Sequence, residues 1–128
     1  MTGTDTGPTF IRLGVDEQGD ARFVDWRPTM RPEHPGLHEL SVSDRLDASS
    51  AVVVRGPAGG GHPTQPESSR QLVVVLSGSF DITATGETRT VTAGDVVLVE
   101  DTHGRGHSSE THDGAVALMI ALHPASNA

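Results

Sequence analysis

Cysteine is absent from the 128-residue chain, which excludes disulfides and thiolate metal sites and leaves the redox compartment open. Lysine is absent as well. The nine fixed positive charges are therefore all arginine, spread from Arg12 to Arg105 with no run that could track a phosphate backbone. Seventeen acidic residues outweigh them, and the formal charge of −8 argues against a nucleic-acid partner, which requires clustered basic residues. Aromatic residues are scarce too: three Phe, one Trp and no Tyr make a sugar-stacking platform a poor expectation and an aliphatic pocket a better one. No apolar stretch approaches the length of a membrane span, and no basic flank followed by an apolar run marks the N-terminus. A soluble, cytoplasmic protein without a membrane partner is expected. No apolar repeat at helical spacing lasts three turns.

What is present is a series of short runs rich in β-branched residues and bounded by Gly, Pro, Ser or Asp. The clearest are AVVVR (51–55), QLVVVL (71–76), FDITAT (80–85), TRTV (88–91), DVVLVE (95–100) and AVALMIAL (115–122). Many short strands in one domain spanning 1–128 imply a sandwich or barrel. Gly78, in LSGSF, sits where a tight hairpin is expected between two strands, with Gly86 at a second hairpin and Gly94 at a third turn, so that consecutive strands form a meander. FDITAT alternates, with Phe80, Ile82 and Ala84 on one face. QLVVVL does not alternate and reads as covered on both faces, inside a wall or against a partner subunit. Before this core, FIRLGVDEQGDARFVDW suggests two further strands around a DEQGD turn, with Trp26 in the core or an interface. RPTMRPEHPG reads as an irregular lid, and residues 1–8 and 124–128 read as tails.

The stretch GDVVLVEDTHGRGH, residues 94–107, runs from a strand into a loop that sets Gly104 and Gly106 between His103 and His107. Together with a histidine-bearing loop before RQLVVVLSGSF, this order resembles a small single-domain cupin over residues 50–122. The resemblance implies an all-β jelly-roll barrel and two motifs that give metal ligands from adjacent strands. Gly78 matches the closing glycine of the first motif, and Gly94-Asp95 the turn of the second. Carried onto this chain, the ligand set is His62, Gln71 and His107, with Gln71 standing where the family has glutamate and Thr64 where it has a second histidine. The implied cofactor is a divalent metal, Fe, Ni, Zn or Cu, and no organic cofactor is indicated. Such strands also pack across dimers in the family, so a homodimer is expected.

Each residue has a plainer role as well. His62 and His103 are equally at home in exposed loops, Gln71 at a barrel mouth, and His34, His38, His112 and His123 in surface or turn positions. Glu100 and Asp101, ending a strand beside His103 and His107, could form a metal-free acid–base set, although Asp101 is also expected to cap the loop. The pocket walls are expected from Val73, Val75, Val97, Val99 and Met119, a lining suited to a small hydrophobic ligand. Two functions fit. One is a tailoring enzyme of bacterial secondary metabolism, a polyketide cyclase, dioxygenase or isomerase acting on a carbonyl-bearing substrate, with His107, His103 and Glu100 as catalytic residues. The other is a cupin that binds a small ligand without turnover.

Overall fold

The residues described, 5–32 and 40–124, of a computed structural model form strands joined by turns and irregular segments, with no helix among them. In chain order the strands are β1 (Asp5–Thr6), β2 (Phe10–Val15), β3 (Ala21–Trp26), β4 (Thr29–Pro32), β5 (Ser41–Val42), β6 (Ala48–Gly56), β7 (Gly61–Gln65), β8 (Gln71–Ala84), β9 (Glu87–Thr92), β10 (Val96–Val99), β11 (His107–Glu110) and β12 (Ala115–Leu122). Pairing joins β3-β2-β10-β8-β12-β6 in one sheet and β9-β8-β11-β7 in a second. Among the described residues, only β2 and β10 run parallel. The inner faces of the two sheets meet in one core, with Leu13, Phe23, Val75 and Val97 from the first and Ile82, Ala84 and Val91 from the second. Each Val, Leu or Phe buried there contributes about 1.5–3 kcal/mol. This is an all-β jelly roll, one form of the sandwich or barrel that the strand pattern implies.

Strand β8 joins the sheets, and it corrects the expected hairpin at Gly78. QLVVVL and FDITAT are one continuous strand whose first half pairs with β10 and β12 and whose second half pairs with β9 and β11. Opposite Val116 and Ala117 the register shifts from Ser77 to Val75, leaving Leu76 as the extra residue of a bulge. Gly78 follows at φ +71°, and a Cβ there would lie 2.2 Å from the Gly114 carbonyl oxygen. A sharp bend and a hairpin both ask for a glycine with positive φ, so the residue type alone does not separate them.

Gly86 does end a hairpin: Thr85 and Gly86, both with positive φ, link Ala84 to Glu87 in a two-residue turn. Gly94 makes the next turn, but β10 then crosses to the other sheet to lie between β8 and β2 instead of beside β9. The expected meander is thus a crossover. Strands β2 and β3 pair as anticipated, with Phe10 opposite Trp26 and their rings 5.7 Å apart. The stretch expected to be an irregular lid instead contributes β4, which pairs with β1 and β5, and β1 lies within the expected N-terminal tail. His34, His38 and the last four residues lie outside the described residues.

Replacing Gly78 by alanine forces a Cβ into the Gly114 backbone at a φ that L-residues avoid. Chemical denaturation of Gly78→Ala should show a loss of about 2–4 kcal/mol. A loss under about 0.5 kcal/mol would show that β8 bends elsewhere.

Candidate metal centre

The two strands that carry the histidines have little intrinsic β preference. GHPTQ was expected to be loop and His107 to stand where a loop re-enters a strand; β7 and β11 pair antiparallel, with Gln65 opposite His107 and His62 opposite Ser109. Their register shifts between His107 and Ser109. Gly106 explains how the segments come so close. A Cβ on it would lie 2.0 Å from the Gln65 carbonyl carbon and 2.2 Å from the Pro66 nitrogen, at φ +80°. The glycine before His107 therefore permits the chain crossing that sets the two imidazoles edge to face, with centroids 4.9 Å apart.

Glu67, in the loop leaving β7, completes the group. Its Oε1 lies 3.3 Å from His107 Nε2 and 3.5 Å from His62 Nε2, and one donor atom from each of the three residues falls within 4.8 Å of the others. Gln71, the expected ligand, stands behind this set. Its Nε2 donates to the other oxygen of Glu67 at 3.3 Å, and its Oε1 is buried without a partner. The carboxylate that joins the histidines is thus Glu67, four positions upstream of Gln71. It is the only acid between Asp47 and Asp81, which is the signal in the sequence that points to it.

Asp101 is fully buried, and its Oδ2 accepts a hydrogen bond from His107 Nδ1 at 2.5 Å. Its side chain supports an imidazole and does not cap the loop as expected. Removing one member of such a buried pair costs about 3–5 kcal/mol. Hydrogen bonds from His107 and then His62 hold the Glu67 carboxyl down at about 2, against the opposing effect of burial. Burial works against protonation of His107, but its bonds to Asp101 and Glu67 prevail and raise it to about 9. The bond to Glu67 raises His62, with burial opposing.

Glu100 and His103 do not join this group. Glu100 pairs with Arg12 and Arg70, and these residues line a separate cavity with His103. The expected acid–base set of His107, His103 and Glu100 is therefore divided between two places. His112 is exposed and bonds Asp81 at 2.7 Å, which raises its pKa.

Above His62, Glu67 and His107 opens a cavity of about 470 Å³ between the sheets, walled mainly by Val54, Val73, Phe80, Ile82, Val99 and Met119. Val75 and Val97, expected in the pocket wall, are instead sealed in the core at 1% and 0% exposure. A jelly roll with two imidazoles and a carboxylate at the polar end of an aliphatic cavity has the construction of a cupin. Residues 43–111, more than half of the chain, match the EutQ-like cupin domain, and the chain belongs to this family. Among solved structures, a conserved protein of unknown function from Streptococcus pyogenes is similar at 20% identity and a TM-score of 0.52, over 66% of this chain and 72% of that one. An RmlC-like cupin from Shewanella frigidimarina is similar at 17% identity and a TM-score of 0.50, over 99% of this chain and 97% of that one. At these identities the likeness is one of fold. Among curated proteins, none matches the chain in sequence.

Cupins often bind divalent metals, and the residues here fit one. Two imidazole nitrogens and one carboxylate oxygen converge, and a carboxylate can only accept a hydrogen bond. Asp101 therefore keeps the proton of His107 on Nδ1 and leaves Nε2 facing Glu67.

Proposed function

We propose that the protein is a metal-dependent enzyme acting on a small, hydrophobic, carbonyl-bearing molecule, of the tailoring type found in bacterial secondary metabolism: a cyclase, oxygenase or isomerase. The observation that supports it is the convergence of His62, Glu67 and His107 in a cavity walled mainly by apolar side chains. Two imidazoles and a carboxylate suit Fe, Ni, Cu or Zn and leave positions for substrate. A divalent ion held there supplies Lewis-acid polarisation of a substrate oxygen and, for iron or copper, redox capacity.

The chain's own residues do the rest. Val54, Val73, Val99 and Met119 take up the body of the ligand, each Å² of apolar surface withdrawn from water being worth about 25 cal/mol. Phe80 and Ile82 close the opposite wall, so the ligand's one polar group is directed to the histidines. Water excluded from such a cavity strengthens every charge interaction within it. Ligand capture without turnover is the competing reading, favoured by Thr64 at the place of the family's second histidine.

Metal analysis of untagged protein purified without chelator should give close to one ion per chain. Glu67→Gln should weaken metal binding at least as much as loss of a supporting group does, roughly 10–100-fold, whereas Gln71→Ala should change it only a few-fold. Equal binding by Glu67→Gln and parent would overturn the assignment. A loaded protein that binds carbonyl compounds but converts none would favour capture.

We propose further that the protein works as a homodimer joined through the outer face of the larger sheet. Val53, Leu118, Val74 and Val96 lie side by side across four strands, and Ala51, Ile120, Leu72 and Leu98 form a second row beside them. Val53 is 63% exposed, Ala51 is exposed, and Leu72, Val74, Val96, Leu118 and Ile120 are half-buried, whereas Leu98 is covered at 4% exposure. These eight residues carry no charge, with Arg12 following Leu98 at the edge of the patch, so a two-fold axis matches apolar surface to itself. Light scattering should give a dimer for the parent and a folded monomer for Leu118→Arg. A monomeric parent would contradict the proposal.

A further inference from the structure

Two acids follow the end of β10 and turn opposite ways. Glu100 meets Arg12 and Arg70, while Asp101 enters the core and is 0% exposed. Among the described residues, His107 is the only partner of the Asp101 side chain, and Oδ1 has none. The Asp101 backbone is engaged separately: its carbonyl accepts the amide of Glu67 at 3.1 Å. One residue thus holds two members of the cluster, His107 by its side chain and Glu67 by its main chain. A loop cap would direct its carboxylate to nearby amides, and this carboxylate goes to an imidazole six residues on.

We propose that Asp101 is a positioning residue: it fixes the His107 ring with Nε2 toward Glu67 and His62, and thereby sets how tightly the cluster holds a divalent ion. The second half of this statement rests on the metal-centre reading above. A buried carboxylate accepts and cannot donate, so the proton it takes is the one on Nδ1. Its charge also makes the imidazole a stronger donor at the opposite nitrogen. Without it, nothing among the described residues holds the Nδ1 end of the ring, which is free to turn over. Gln71 donates to Glu67 in a parallel way, but at 3.3 Å and from a residue the cluster otherwise leaves aside, so Asp101 is the tighter restraint.

Asp101→Asn keeps the size of the side chain and removes its commitment to accept, since an amide offers either an oxygen or an N–H. The parent and this variant are compared by zinc titration, by thermal melting without metal, and by proton–nitrogen spectra of the histidine rings without metal. Zinc affinity should fall roughly 10–100-fold. The melting temperature of the metal-free variant should shift far less than that of Asp101→Ala. The parent should show a strongly downfield His107 Nδ1–H proton that is lost in Asp101→Asn and kept in Glu67→Gln. An unchanged ring resonance in Asp101→Asn, or zinc affinity equal to the parent's, overturns the positioning role. A parent that binds no zinc yet shows the resonance change overturns the metal-centre reading and leaves Asp101 as the anchor of the ring.

Discussion

Everything at the site depends on the pairing of β7 with β11. Those strands bring together two histidines that are far apart in the chain, and neither has the composition of a good strand. What allows the pairing is the missing side chain of Gly106, against which the Gln65–Pro66 backbone passes. The larger sheet supplies the aliphatic wall, and β8, bent at Gly78, carries that wall from one sheet to the other. A positive φ at one glycine and close approach at another thus help build a cavity that is mainly apolar and charged at one end.

The polar end is organised around a single carboxylate. Glu67 accepts from both imidazoles and from Gln71, and its amide is held by the Asp101 carbonyl. The position where the cupin resemblance places a metal-binding glutamate is occupied by an amide that supports the carboxylate instead. The cluster consequently keeps two histidines and one acid although its motif spacing differs from the family pattern. Fold and donor set are preserved by different residues.

Much of this architecture was legible in the sequence. The β-branched runs marked β6, β9, β10 and β12 within a few residues, because Val, Ile and Thr favour the extended chain whether or not they are buried. The bend at Gly78 was not legible, since hairpins and bends ask the same thing of a glycine. Strands β7 and β11 escaped because Gly, His, Pro and Ser carry no strand preference, and their order comes from tertiary pairing. His62 and His107 were legible as candidates, whereas Gln71, expected as a third ligand, stands behind Glu67. Glu67 was passed over because family spacing pointed four residues downstream, although its isolation among the acids was visible. Glu100 and Asp101 show the remaining limit: successive side chains on an extended chain leave in opposite directions, and only the register says which one points inward.

The central claim is that His62, Glu67 and His107 together hold a divalent ion. The most direct measurement is anomalous diffraction from crystals grown with cobalt or zinc, collected at the absorption edge of the metal. A single strong peak bounded by His62 Nε2, Glu67 Oε1 and His107 Nε2 is the expected result. A map without a peak there, with Glu67 still bonded to both imidazoles at full metal excess, would contradict the account.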